Sequence, residues 1–107
     1  MKNILHVEDR QDWQSTIRGI LEDEGYSVIS VDSVSKAREH INWADVIICD
    51  GNLEWEQAGD GFALARELHD QGYKVLVLAA RSRDKDIPFI AKGSISSEGL
   101  VSMLARL

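Results

Sequence analysis

"DVIICDGNLEWEQAGDGFALA", residues 45–65, begins with an apolar run that breaks off at an acid. Val46 to Cys49 is unbroken by any polar side chain, Asp50 stops it, and a helical pattern resumes only at Gly61. An unbroken apolar run of this length reads as a strand buried on both faces. The same sign recurs on either side. Upstream, Ile4-Leu5-His6-Val7 is a short apolar segment bounded by Glu8-Asp9, and Ser27 to Val31 is β-branched and strand-like. Downstream, Lys74 to Ala80 is a fourth strand and Pro88 to Lys92 a brief fifth.

Helical patterns fill the intervals. Trp13, Ile17, Ile20 and Leu21 recur at helical spacing, and Gly25 follows as a stop. Val34, Ala37 and Ile41 mark a second, weaker helix. Leu64, Ala65 and Leu68 lie on one face of a helix from Gly61 to Gln71. Ser96 or Ser97 can cap a last helix that buries Leu100, Leu104 and Leu107. Strands alternating with helices predict an α/β domain, its parallel sheet covered on both faces. In such sheets ligands collect beyond the carboxyl ends of the central strands. Three candidate strands end there in charge: Glu8-Asp9, Asp50 and Lys92.

Composition narrows the class. With 107 residues, 44% of them hydrophobic, the chain suits one folded domain spanning 1–107, with no repeat and no internal linker. Twelve Lys and Arg against 18 Asp and Glu leave a formal net charge of −6. That balance disfavours direct nucleic-acid binding and suits a protein partner or a cation. A single cysteine, Cys49, rules out an internal disulfide and fits a reducing compartment. No apolar run approaches membrane-spanning length, and the first residues carry too short an apolar run for a signal peptide. A soluble cytoplasmic domain is expected.

Acids gathered at one sheet edge repel each other unless a hard cation sits among them. Magnesium takes oxygen ligands and often uses one or two carboxylates plus a phosphate. A carboxylate can also act as a nucleophile and form an aspartyl phosphate. A lysine opposite it can pair with phosphoryl oxygens as a point charge. Glu8, Asp9, Asp50 and Lys92 are therefore candidates for a phosphoryl-transfer centre. Each has a plainer alternative. Glu8-Asp9 suits a helix cap, Asp50-Gly51 a hairpin turn with Leu53 and Trp55 starting a return strand, and Lys92-Gly93 a solvated turn. His6, His40 and His69 lack metal-ligand spacing, and there is no glycine-rich phosphate loop.

Over nearly its whole length the chain resembles the receiver domain of two-component response regulators. "ILHVED" (4–9) is similar to that family's first strand and acidic pair. "ILEDEGYSVISVDS" (20–33) is similar to its first helix end and second strand, and "ADVIICDGNL" (44–53) to the strand that delivers its phosphoacceptor. "GDGFALAREL" (59–68), "VLVLAA" (75–80) and "PFIAKG" (88–93) complete the match in order. The resemblance implies a doubly wound, flavodoxin-like, five-stranded parallel sheet in strand order 2-1-3-4-5. It implies that Asp50 accepts a phosphoryl group from a histidine kinase or phosphotransfer partner. Magnesium or manganese would be held by Asp9, Asp50 and the backbone carbonyl of Asn52, with Glu8 helping through water. Lys92 would bind the phosphoryl group, and Phe89 falls where the family has its switch aromatic. Output would pass to a downstream protein by contact, since no output domain follows the last helix.

Four departures stand out. Ala79 occupies the position where the family has a Thr or Ser hydroxyl, so Ser82, with Arg81 beside it, is a candidate substitute. Glu54 stands where a Pro is common, and the following loop is about three residues long beyond the family's usual length; Trp55 there either covers the site or meets a partner. Gly93 replaces the Pro that often follows the lysine, which alters the strained peptide common there. Only eight residues, Arg81 to Pro88, join the last two strands. A helix of that length is about 12 Å long and leaves nothing for its turns. An extended path of about 26 Å can return along a strand of about 17 Å, so the fourth helix is expected to be missing or reduced to a turn. That predicts an uncovered apolar face on the fourth and fifth strands, open to a homodimer or another partner. The main alternative function is a pseudo-receiver, an interaction module without phosphorylation. A small hydrolase with an Asp nucleophile ranks lower, because Asn52 stands where such enzymes place a second acid.

Overall fold

The computed structural model describes residues 2–54 and 56–107. Five strands form one parallel sheet in the order β2-β1-β3-β4-β5. They are β1 (Asn3–Val7), β2 (Ser27–Val31), β3 (Val46–Asp50), β4 (Val75–Ala79) and β5 (Phe89–Ala91). Helices α1 (Gln11–Asp23), α2 (Val34–Arg38), α3 (Gly61–Asp70) and α4 (Ser97–Ala105) supply the crossovers and the carboxyl-terminal cover. The doubly wound, flavodoxin-like sheet expected from the sequence is present.

Side chains alternate across the sheet and build two cores. Leu5, Val7, Ile47, Cys49 and Val77 face α2 and α3, where Ala37, Leu64, Ala65 and Leu68 meet them. Ile4, Ile48, Leu76 and Leu78 face α1 and α4, where Ile17, Leu21, Leu100 and Leu104 meet them. Two-sided burial is why β4 is apolar throughout and β3 is apolar up to its terminal Asp50, whereas edge strand β2 is mostly half-buried. Local caps set the helix starts. Ser33, Asp60 and Ser96 each accept a backbone N–H three residues on, and Ser96 rather than Ser97 begins α4.

Several sequence-based bounds shift. α2 stops at Arg38, and Ile41 falls in a separate 3-10 turn, Ile41–Trp43. Of that helix only Ala37 is fully buried, so little burial energy draws it further. β5 runs Phe89–Ala91, and Lys92 begins a 3-10 turn, Lys92–Ser94. Leu107 lies beyond α4 and is half-buried. Trp55, expected to cover the site or meet a partner, lies outside the described residues.

The fourth crossover is the main economy of this chain. Between β4 and β5 there is no helix among the described residues, and the strands pair in parallel, Val77 opposite Phe89 and Ala79 opposite Ala91. The hairpin alternative is thereby excluded. The uncovered face expected on these strands is closed on β4, while the three residues of β5 stay half-buried. Val77 is 2% exposed, Ala79 0%, and Ile87 of the connecting loop, at 5%, packs into the same cluster. The loop folds down on its own sheet because α3 holds it. Arg66 pairs with Asp84 at 2.7 Å and Asp86 at 3.3 Å while also reaching Asp70 at 3.0 Å. On β4 the apolar patch that suggested a homodimer through this region is therefore filled from within.

Candidate functional site

The carboxyl ends of β1, β3 and β5 bring the candidate residues together. Glu8 and Asp9 follow β1, Asp50 is the last residue of β3, and Lys92 follows β5 directly. Parallel pairing makes this possible, because every strand points its end at the same rim. Lys92 Nζ lies 2.7 Å from Glu8 Oε1 and 3.0 Å from Asp50 Oδ2. Glu8 is 0% exposed and Asp50 1%, so the ion pairs are desolvated. Glu8, Asp9 and Asp50 each present a carboxylate oxygen within 4.8 Å of the others. The plainer readings of these residues, as a cap and two isolated turns, do not bring the four groups to one place.

The backbone around Asp50 is tightly drawn. Asn52 N–H donates to Asp50 Oδ1 at 2.8 Å, and Asn52 Oδ1 accepts from Ala80 N–H at 2.6 Å, tying the β3 loop to the end of β4. Glu54 N–H donates to Asp9 Oδ2 at 2.7 Å, so the same loop is strapped to the end of β1. Gly61, at the start of α3, packs against the Asp50 carbonyl so closely that a Cβ would collide with its oxygen. A side chain at Gly51 would strike the Phe62 ring and come 2.9 Å from the Ala79 methyl. Both glycines are thus required by close approach.

Carboxyl groups outnumber cations at the rim: Glu8, Asp9 and Asp50 face one ammonium. Burial raises the Glu8 carboxyl to about 8, its hydrogen bond with Asp50 acts in the same direction, and Lys92 opposes both. Hard oxygen donors, closely spaced and in excess of positive charge, fit a divalent cation such as magnesium. Cys49 adds nothing reactive. Its buried thiol is pushed up to about 12 by desolvation and then by Asp50.

A family model for the response regulator receiver domain matches residues 4–96. The chain belongs to that family. Comparison with curated proteins finds no match. Among solved structures, chemotaxis protein CheY4 of Vibrio cholerae is 22% identical, with a TM-score of 0.81, 99% of this chain covered and 98% of that one. A CheY-like receiver domain from Methanospirillum hungatei JF-1 is 19% identical, with a TM-score of 0.83, over 99% of this chain and 92% of that one. The receiver domain of a sensor histidine kinase from Pseudomonas aeruginosa PAO1 is 24% identical, with a TM-score of 0.80, over 98% and 95%. That last protein was crystallised with a magnesium ion in its active-site cleft. Receiver domains are signalling modules of two-component systems, and this chain shares their fold and their acidic rim. No helix among the described residues is long and apolar enough to cross a membrane.

The other residues singled out in this receiver are placed as follows. Ala79 is fully buried between Asp50's strand and β5, without a hydroxyl. Ser82 is exposed, and its hydroxyl donates to the Asp84 carbonyl at 3.3 Å. Arg81 is exposed and, with Ser82, Arg83, Ala80, Asn52 and Phe62, lines a cavity of about 370 Å³ beside the rim. Phe89 is half-buried and packs on the α2–α3 core. Two residues near the site carried no functional signal in the sequence. His6 is wholly buried with no partner for either ring nitrogen, and burial holds it down to about 3, so it is neutral. Trp13, read only as a core-facing position of α1, places its ring 4.7 Å from Lys92 Nζ.

Proposed function

We propose that this receiver accepts a phosphoryl group on Asp50 from a phosphohistidine of a kinase or phosphotransfer protein, with Mg²⁺ or Mn²⁺ as cofactor. The observation that supports it most is the Lys92 ammonium, 3.0 Å from Asp50 although 42 residues away in sequence. An Asp50 carboxylate oxygen would form the new P–O bond as the P–N bond to the donor imidazole breaks, and the electron pair leaves with the imidazole. The Asn52 N–H holds Asp50 Oδ1, which orients the other oxygen toward the rim. Lys92 would move from its carboxylates to the phosphoryl oxygens as negative charge arrives there. Asp9, Asp50 and the Asn52 carbonyl would hold the cation, with Glu8 acting through water. When bound, the cation supplies charge neutralisation between carboxylates and phosphoryl oxygens. The domain, taken as 1–107, would then signal by contact with a downstream protein rather than act as a hydrolase.

A second reading rests on Ala79. With no hydroxyl to grip the phosphoryl group, the fold can serve as a phosphorylation-independent interaction module. Intact mass after incubation with Mg²⁺ and acetyl phosphate separates the two. The gain of one phosphoryl group, absent in Asp50→Ala, is the expected result. No gain in the parent chain refutes the phosphoacceptor reading in favour of the second.

A further inference from the structure

Lys92 carries three N–H groups, and two of its directions are accounted for by Glu8 at 2.7 Å and Asp50 at 3.0 Å. A third contact comes from outside the acid cluster. The indole of Trp13, in the first turn of α1, sits with its ring centroid 4.7 Å from Nζ, within cation–π range. Lys92 is 14% exposed at its side chain, so the contact is largely shielded from water. The backbone that carries Lys92 is lightly built. β5 has three residues, Lys92 opens a 3-10 turn, and Gly93 follows. A Cβ at Gly93 would meet nothing within 4 Å, so packing neither demands the glycine nor braces the turn. A long, rotamer-rich side chain on such a turn needs restraint from elsewhere if its ammonium is to stay at the rim.

We infer that Trp13 is a positioning residue for phosphoryl transfer: its ring face holds the Lys92 ammonium over the rim, so that the cation, as it leaves Glu8 and Asp50, moves to a phosphoryl group at Asp50 and does not swing into solvent. Trp13 touches no reacting atom and acts through Lys92. The role rests on the phosphoacceptor reading above. The plainer role for Trp13 is packing, since it also lies against the α1–α4 core. The two roles differ in what they require. Packing needs bulk, whereas holding an ammonium needs a π face directed at it.

The full chain tests this in two ways. First, the initial rate of phosphoryl uptake from acetyl phosphate at saturating Mg²⁺ is compared for the parent, Trp13→Phe and Trp13→Leu. Loss of a partly desolvated cation–π contact corresponds to a rate lower by about 2- to 30-fold in Trp13→Leu, with Trp13→Phe recovering most of it. Equal rates in all three, or equal slowing in both variants with lowered melting temperatures, overturns the proposal and leaves Trp13 a packing residue. Second, with Trp43→Phe and Trp55→Phe leaving Trp13 as the sole indole, Lys92→Met is expected to shift its emission spectrum. An unchanged spectrum refutes the contact itself. The fluorescence measurement needs no phosphorylation. If the parent takes up no phosphoryl group, the phosphoacceptor reading fails while the spectrum still decides the ammonium–indole contact. If the parent is active and Trp13→Leu is equally fast, only the positioning role fails.

Discussion

His6 should make this receiver acid-labile in a way that one substitution removes. The side chain lies on central strand β1, fully buried, with neither ring nitrogen hydrogen-bonded to protein. Desolvation dominates its titration; Asp50 pulls the other way, and Lys92 and Arg18 reinforce the burial, leaving it at about 3 against an ordinary 6.5. The folded value is depressed, so folding favours neutral His6. The associated stability is complete above about pH 6.5 and is lost as the pH falls toward about 3. At about pH 5 the unfolded chain has gained roughly 1.5 pH units of protonation free energy, at about 1.36 kcal/mol per unit. The loss through His6 alone is therefore about 2 kcal/mol between pH ~7.5 and ~5.0. Urea unfolding of the parent and of His6→Leu at both values measures it. The stability difference between the two proteins should move by about 2 kcal/mol in favour of His6→Leu on acidification. The contribution from Glu8 occurs in both proteins and largely cancels. Parallel pH profiles for the two would refute the reasoning, and would mean that His6 is protonated or solvated in the fold.

Gly61→Ala should lower stability by about 1–3 kcal/mol, because a Cβ there meets the Asp50 carbonyl oxygen and α3 must shift; chemical denaturation measures the loss, and phosphoryl uptake should fall with it, since the displaced strand end carries Asp50. Arg66→Ala releases the 80–88 loop from α3 at Asp84 and Asp86. Its ion pairs are solvent-exposed, so the melting temperature should barely move, while amide exchange across the loop accelerates; unchanged exchange would show that Ile87 alone holds the loop down.

Much of this molecule was legible from pattern alone. The apolar runs at Ile4–Val7, Val46–Cys49 and Val75–Ala79 announced strands buried on both faces, and burial on both faces implies parallel pairing with helices on each side. The spacing of Leu64, Ala65 and Leu68 marked α3 for the same reason, since periodicity records which side of an element meets the core. The acids at strand ends were visible as residues, and the parallel sheet implied that Glu8, Asp9, Asp50 and Lys92 would share a rim. The short link from Arg81 to Pro88 could not hold a helix, a conclusion that chain geometry alone allows.

Other features could not be reached this way, because they depend on which distant groups meet. The open face expected beside the missing helix is closed over β4, though not over all of β5: Ile87 turns inward and Arg66, from another element, anchors the loop. Nothing in the local sequence at 80–88 names Arg66. His6 read as one more strand position, and its unpartnered nitrogens show only once the layers around β1 are in place. Trp13 read as one residue of a helical stripe, and only the crossing of α1 past the end of β5 sets its ring against Lys92. Periodicity and strand-end chemistry are properties of the chain as written. Contacts between elements far apart in sequence depend on crossover paths and side-chain rotamers, and those are settled only once the layers have packed.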